Sequence, residues 1–163
     1  LGVYMSISLG DSFPSGTFLT KDSDGIKHVV TEEYFKSKKV VLFALPGAFT
    51  PTCSAKHLPS YIKNHNQIIE KGVSVVACMA VNDPHVMRAW GDANEVVGKI
   101  DMLSDADCSI SQSLGLDMDF GKVMGHRSKR FSMVVENNII IKLFVEEIGA
   151  FEVSSAENML KHL

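Results

Sequence analysis

The feature that most constrains this chain is a pair of nearly unbroken apolar runs, residues 39–45 (KVVLFAL) and 73–81 (VSVVACMAV), with a helical stretch between them. A strand that meets water on one face alternates apolar and polar side chains. These runs have no polar face, so both sides of each strand must be covered, as in a parallel or mixed sheet flanked by helices. The intervening segment supplies one such helix, with Thr50 at the N-cap, Pro51 at the first helical position and Gly72 as the C-terminal stop. Pro59, inside that stretch, should kink it.

The remaining signals arrange themselves around this unit. Residues 16–20 and 26–30 are short β-prone runs separated by turn formers at 21–25, which predicts a hairpin. Thr31 takes an N-cap position ahead of Glu32 and Glu33 and opens a short helix ending near Lys38. Asp83 and Pro84 repeat the cap-plus-proline signal for a helix through Trp90, and residues 100–103 form a third strand. A short helix at 109–114 stops at Gly115, and a looser stretch rich in glycine and charge runs to Lys129. Residues 130–136 and 139–146 are strands joined by Asn137 and Asn138, a pair that tolerates the positive φ of a tight hairpin. Ser154, with Glu157 three residues on, matches a capping box for a last helix. This order predicts one α/β domain over residues 1–163: a thioredoxin-like fold, with a mixed β-sheet flanked by helices and an N-terminal β-hairpin extension.

Charge and cysteine usage narrow the function. A net charge of −3 provides no basic field for nucleic acid, and no apolar run is long enough to span a bilayer. Neither partner is expected. Residues 1–10 lack a charged segment followed by an apolar one, so no secretory signal is read there. Three widely spaced cysteines, Cys53, Cys78 and Cys108, do not suit a disulfide scaffold and point to a reducing compartment. The expected setting is intracellular, cytoplasmic or organellar (plastid or mitochondrial), with any targeting segment outside this chain, which begins with Leu. There is no CxxC, so cysteine chemistry runs through one thiol at a time. His57, four residues after Cys53, is half of a metal site at most; no second ligand pair stands at suitable spacing, and no metal or cofactor is expected.

Cys53 is the thiol with a chemically marked position. At the third helical residue its sulfur lies among amides that have no intrahelical partner, at the positive end of the helix dipole, which favours the thiolate. A strand-to-helix junction should also leave it exposed to small electrophiles. For a thiolate attacking an oxygen–oxygen bond, donors must hold the departing oxygen. Thr50 can offer its hydroxyl from the same first turn, with backbone amides of residues 48–53 beside it, while Pro46 removes a competing N–H and stiffens the approach. A cation would complete the set. Of Arg88, Arg127 and Arg130, the last begins an apolar strand that can hold a guanidinium at a cavity edge. Cys78, inside an apolar strand, reads as a small hydrophobe, and Cys108 as a surface or half-buried thiol. Met79, Met118 and Met133 read as core filler, and Phe49 and Phe120 as either core or an apolar mouth.

The run PGAFTPTCS (residues 46–54) contains P-x3-T-x2-C and resembles the peroxidatic motif of peroxiredoxins. CMAVNDPHVMRAWG (78–91) and KRFSMVVENN (129–138) resemble the peroxiredoxin 5 and plant type II subgroup, and the similarity covers nearly the whole chain. The resemblance implies a thioredoxin fold, a homodimer, and reduction of hydrogen peroxide and small organic hydroperoxides. It makes Cys53 the peroxidatic cysteine, Thr50 and Arg130 its activating partners, and Pro46 the shield of the site. The chain departs from the subgroup at one place: some members carry a resolving cysteine near the C-terminus, where residues 151–156 here include Ser154 and Ser155 and no cysteine. Cys78, 25 residues after Cys53, has the spacing of the second cysteine of plant type II members. The expectation is a one-cysteine cycle in which an external thiol, glutathione with glutaredoxin or a thioredoxin-type reductant, reduces the sulfenic acid on Cys53. The competing class is a redox-sensing or chaperone-like binding protein that uses the same oxidation as a switch. A preset group of Thr50, Cys53 and Arg130 favours catalysis, because a sensor needs oxidation without high rate.

Overall fold

The computed structural model describes residues 7–163, so most of the segment read for a secretory signal lies outside the described residues. The two apolar runs form parallel neighbours, β3 (Lys39–Ala44) and β4 (Val75–Ala80), and β5 (Ile100–Ser104) continues the parallel set beside β4. Crossovers through α2 (Leu58–Glu70) and α3 (Pro84–Ala93) join them. β8 (Phe131–Glu136) runs antiparallel on the other side of β3 and pairs in turn with β9 (Ile139–Val145). The hairpin of β1 (Thr17–Asp22) and β2 (Gly25–Val30) closes the opposite edge through one pairing, Leu19 with Ser104. The sheet order is β2-β1-β5-β4-β3-β8-β9, the mixed sheet flanked by helices that the element order predicts.

Alternation along the central strands explains why the runs carry no polar face. Val41 and Phe43 of β3, with Val76 and Cys78 of β4, enter the core packed against α2 and α3. Val40, Leu42 and Ala44, with Ala77 and Met79, enter a second core with Phe13, Phe35 and Ile110 on the other side of the sheet. Phe43 stacks on Tyr61 of α2 with ring centroids 4.0 Å apart, which seats that helix directly over β3. Burying each such aromatic contributes about 1.5–3 kcal/mol, so the start of the α2 segment is held against the end of β3 by packing on both sides.

Local signals differ from their expected use at several points. Thr31 is the first residue of α1 (Thr31–Phe35) and not its cap; its hydroxyl donates to Pro14 O (2.9 Å) and accepts from Gly16 N–H (3.1 Å), tying the hairpin to the loop before it. The helix ends at Phe35, short of Lys38. The stretch read as loose contains a small hairpin, β6 (Asp117–Asp119) with β7 (His126–Ser128), whose three-residue strands are too short for an alternation pattern to be read. Arg130 sits just ahead of β8. The cap of α5 (Ala156–Leu160) is Ser155, whose hydroxyl accepts from Asn158 N–H at 3.1 Å, while Ser154 is used elsewhere. Pro59 lies in the first turn of α2, and the irregularity stands before it, as a π-helical turn at Cys53–His57 closed by Leu58 N–H to Cys53 O. Proline offers no N–H, and its ring crowds the carbonyl four residues back, so the chain widens by one residue ahead of it.

Other signals hold as read. Gly72 follows α2 at φ +91°, and Asp83 caps α3 by accepting from Val86 N–H at 3.0 Å. Asn137 and Asn138 both adopt positive φ, 46° and 71°, in the β8–β9 turn. Asn137 also accepts Ser37 N–H at 3.0 Å through its side chain. Asn137→Ala is expected to lower stability by about 1–2 kcal/mol from the left-handed penalty and the lost bond, whereas Asn137→Gly is expected to cost less than half as much; chemical denaturation of the two variants measures the difference.

Candidate active site

The site is built where the C-terminal end of β3 turns into the π-helical segment. Residues 45–50 make the turn. Leu45 N–H still bonds to Met79 O of β4 (3.3 Å), and Ala48 N–H is held by the side chain of Asn82 at 2.8 Å. Phe49 takes a left-handed φ of 64°, costly for a residue with a Cβ and stored in the bend that aims the next turn. Thr50 then precedes Pro51, and Ser54 N–H donates to Thr50 O at 2.9 Å, so Cys53 stands in the first helical turn. The Thr50 hydroxyl donates to Gly47 O at 2.6 Å. Its proton is thereby committed, so the oxygen has only its lone pairs left to offer, the reverse of the donor role read from the sequence.

Arg130 reaches the same point from the start of β8. Its Nη2 donates to Cys53 Sγ at 3.2 Å and its Nη1 to His57 Nδ1 at 2.8 Å. Four residues separate Cys53 from His57, and the wide π-turn between them presents both to one guanidinium. His57 is fully buried, and its Nε2 donates to Ser154 O at 3.1 Å. Burial first, and the Arg130 charge second, push the imidazole down to about 3, against the pull of the Ser154 carbonyl. A neutral ring with its hydrogen on Nε2 can accept from the arginine through Nδ1. His57 is thus a fixed acceptor for Arg130, neither a metal ligand nor a general base; among the described residues no cluster of His, Cys, Asp or Glu is arranged to hold a metal ion.

The sulfur is not exposed as the helix-start position suggested. Cys53 is 1% exposed and shares a core cluster with Phe43, Leu58 and Tyr61; a cavity of about 300 Å³ is lined by the adjacent Thr52 and by Arg130, and the sulfur itself is not one of its walls. Pro46, Thr52, Phe120, Arg130 and Ile148 line that cavity, so Pro46 and Arg130 share one wall system, Phe120 belongs to the mouth, and Phe49 instead lies out toward Trp90. Met118 also lines the cavity, while Met79 and Met133 are core. Cys78 is fully buried in β4, where burial and then the neighbouring Cys53 push its thiol up, opposed in part by Arg130. Cys108, expected to be a surface or half-buried thiol, is also buried; burial, then the Asp105 and Asp117 charges, push it up to about 11.

Two residues to which the sequence assigns no role shape the site. Glu146, at the end of β9, accepts from the amides of Glu152 (2.7 Å) and Ser154 (2.9 Å) and from the Ser154 hydroxyl (2.6 Å). Burial pushes its carboxyl up, but these bonds outweigh it and hold it below the usual carboxylate range. They fold residues 147–154 into a loop along the cavity and present Ser154 O to His57. The second is Arg127, weighed and set aside as the cation, which donates to Pro46 O at 3.1 Å and to Met124 O at 2.7 Å. No local pattern marks either role, since both depend on loops that meet only in the fold.

Known proteins share this arrangement of chain. The Redoxin family profile matches residues 8–160. The chain is 42% identical to peroxiredoxin-2E-2, chloroplastic, of Oryza sativa subsp. japonica over 172 residues, covering 99% of this chain and 74% of that one. Among solved structures, reduced Prx3 from Vibrio vulnificus in complex with hydrogen peroxide superposes with a TM-score of 0.93 at 44% identity, covering 96% of this chain and 98% of that one. Peroxiredoxin 5 from Alvinella pompejana superposes with a TM-score of 0.84 at 30% identity, covering 95% of this chain and 96% of that one.

The buried histidine has a measurable pH signature. A ring pushed down to about 3 in the fold, against about 6.5 when unfolded, binds fewer protons folded than unfolded between those values. Stability is therefore expected to fall as pH drops from about 6.5 toward 3. Thermal unfolding across that range is expected to show a flatter pH dependence in His57→Asn than in the wild type.

Proposed function

We propose, for a chain that belongs to the Redoxin family and within it to the peroxiredoxins of the peroxiredoxin 5 type, that Cys53 is the thiol which performs the family's reaction. The protein is a thiol-dependent peroxidase with an antioxidant role. The observation that carries the assignment of Cys53 is the guanidinium of Arg130, whose Nη2 lies 3.2 Å from the sulfur while Nη1 is anchored on His57.

The proposed reaction uses this geometry. The Cys53 thiolate attacks the terminal, hydrogen-bearing oxygen of a hydroperoxide; the oxygen–oxygen bond breaks as a sulfur–oxygen bond forms. Sulfur gains OH and becomes a sulfenic acid, and the other oxygen departs as an alkoxide, or hydroxide for hydrogen peroxide, which takes a proton from water. Sulfur is oxidised by two electrons and the peroxide reduced by two. Arg130 lies where negative charge moves from sulfur to the departing oxygen and stabilises it at both ends. The Thr50 oxygen, with its own hydrogen given to Gly47, accepts the hydroperoxide hydrogen and orients the bond. Pro46 forms the cavity wall beside Arg130.

The reading extends to substrate, reductant and setting. The hydrogen peroxide complex of the Vibrio vulnificus relative supports that substrate. A cavity of about 300 Å³ is roughly ten times the space of one water, which supports small organic hydroperoxides as well. An external thiol, glutathione with glutaredoxin or a thioredoxin-type protein, then condenses with the sulfenic acid to release water, and a second thiol exchanges the mixed disulfide back to Cys53. Support for this one-cysteine cycle is that Ser154 stands near the C-terminus where a resolving thiol would be, and that Cys78 and Cys108 are buried with their thiols pushed up. The resemblance supports a homodimer, and Ile148 at the cavity rim, 79% exposed, is apolar surface for a second copy to cover. No helix among the described residues is long and apolar enough to cross a membrane, and the relatives include chloroplastic proteins. A cytoplasmic or organellar setting is the reading that follows.

Stopped-flow oxidation tests the roles. Cys53→Ser is expected to abolish peroxide consumption, and Arg130→Met to slow Cys53 oxidation by about 10²–10³-fold. Steady-state turnover with glutathione is expected to survive in Cys78→Ser and in Cys108→Ser; loss of turnover in either variant, with single oxidation intact, would show that thiol to be the resolving one.

A further inference from the structure

We propose that Arg127 is a positioning residue for the peroxide reaction, acting through the Pro46–Gly47 peptide to set the rotation of the Thr50 hydroxyl. The inference rests on the reading that Thr50 orients the peroxide over Cys53. β7 carries Arg127 opposite Met118 of β6, and Met118 lines the cavity, so the small hairpin turns this face toward the active-site loop. From there Arg127 divides its donors between the two segments it joins: Nε to Met124 O in its own hairpin at 2.7 Å, and Nη1 to Pro46 O at 3.1 Å.

The next residue shows how closely the guanidinium is fitted. A Cβ on Gly47 would lie 2.3 Å from Arg127 Nη1 and 3.5 Å from its Cζ, with the Thr50 methyl at 3.3 Å. Position 47 is therefore open only to a residue without a side chain as long as Arg127 keeps its place. Its φ is not in the left-handed region, so space and not backbone freedom requires glycine here. The Gly47 carbonyl is in turn the acceptor for both the Thr50 hydroxyl (2.6 Å) and the Thr50 amide (3.4 Å). Asn82 pins the following amide, of Ala48, from the β4 side. The peptide planes from 46 to 48 are thus held from two directions, and the orientation of Gly47 O decides where the lone pairs of Thr50 point. Arg130 holds the sulfur; Arg127 holds the partner of the peroxide hydrogen.

Two rates separate this role from a general one in folding. Oxidation of Cys53 by hydrogen peroxide uses the Thr50 oxygen, whereas alkylation of Cys53 by iodoacetamide, a substitution at carbon with iodide leaving, has no use for it. Arg127→Gln is expected to slow oxidation by about 10- to 100-fold while alkylation, followed at Cys53 by mass spectrometry, changes by less than about twofold on that scale. Gly47→Ala, which displaces the guanidinium from the other side, is expected to reproduce the effect, and the double variant is expected to be no slower than the slower single one. In a Thr50→Val background, Arg127→Gln is expected to add nothing. If Thr50→Val oxidises at the wild-type rate, the underlying role of Thr50 fails. If Thr50→Val is slow but Arg127→Gln is not, or if the effects of Arg127→Gln and Thr50→Val multiply in full, the positioning role of Arg127 is overturned. An equal fall in oxidation and alkylation in both Arg127→Gln and Gly47→Ala also overturns it, because the loop would then be merely disordered.

Discussion

One forked cation organises the centre of this protein. Arg130 gives one nitrogen to the Cys53 sulfur and the other to His57, at 3.2 and 2.8 Å. A guanidinium is planar and permanently charged, so a fork anchored at one tine fixes the other in direction as well as distance. The anchor must be an acceptor that never becomes a cation itself. His57 meets that demand through burial and through the arginine's own charge, which together keep the ring unprotonated. The same ring passes its remaining hydrogen to Ser154 O, and Ser154 is bound to Glu146. The chain of bonds therefore runs from the Cys53 sulfur to the loop that walls the cavity.

The fold exists, in functional terms, to bring four distant segments to one end of β3. The sheet order sets β8 directly beside β3, so Arg130 at the start of β8 arrives at the level where β3 ends and the helical segment begins. β4 lies on the other flank, and Asn82 just beyond its end holds the turn. Packing of Phe43 against Tyr61 keeps the helix seated. The bend itself costs something, with Phe49 in a left-handed conformation, and the hydrogen bonds of Ala48 and Pro46 oppose its relaxation.

Much of this was legible in the residues. The two apolar runs required strands covered on both faces, and proline after a capping residue placed Cys53 in a first helical turn. Asn137 and Asn138 marked a turn that both occupy at positive φ. What escaped reading has a common cause. Thr31, Thr50 and Ser154 each sit where a local cap would be expected, and each spends its hydroxyl on a partner chosen by local loop geometry or tertiary contact: Pro14, Gly47 and Glu146. Short polar side chains are versatile, so their sequence neighbours underdetermine them. The exposure expected of Cys53 fails for a related reason: a helix start is solvent-facing in isolation, whereas here it enters the core cluster of Phe43, Leu58 and Tyr61 with Arg130 on its sulfur. Glu146 and Arg127 act through contacts that no spacing along the chain encodes.

On the role proposed for Cys53, the near-complete enclosure of its sulfur sets different demands on reactants of different size. With the sulfur 1% exposed and Arg130 already at 3.2 Å from it, an oxidant of two or a few heavy atoms would need little rearrangement to reach it. The thiol that the proposed cycle requires has to bring its own sulfur to bonding distance of an atom held in the core, with a far larger body behind it. On that reading oxidation would draw on preset geometry and regeneration on local opening of the backbone, two quantities that selection can adjust independently.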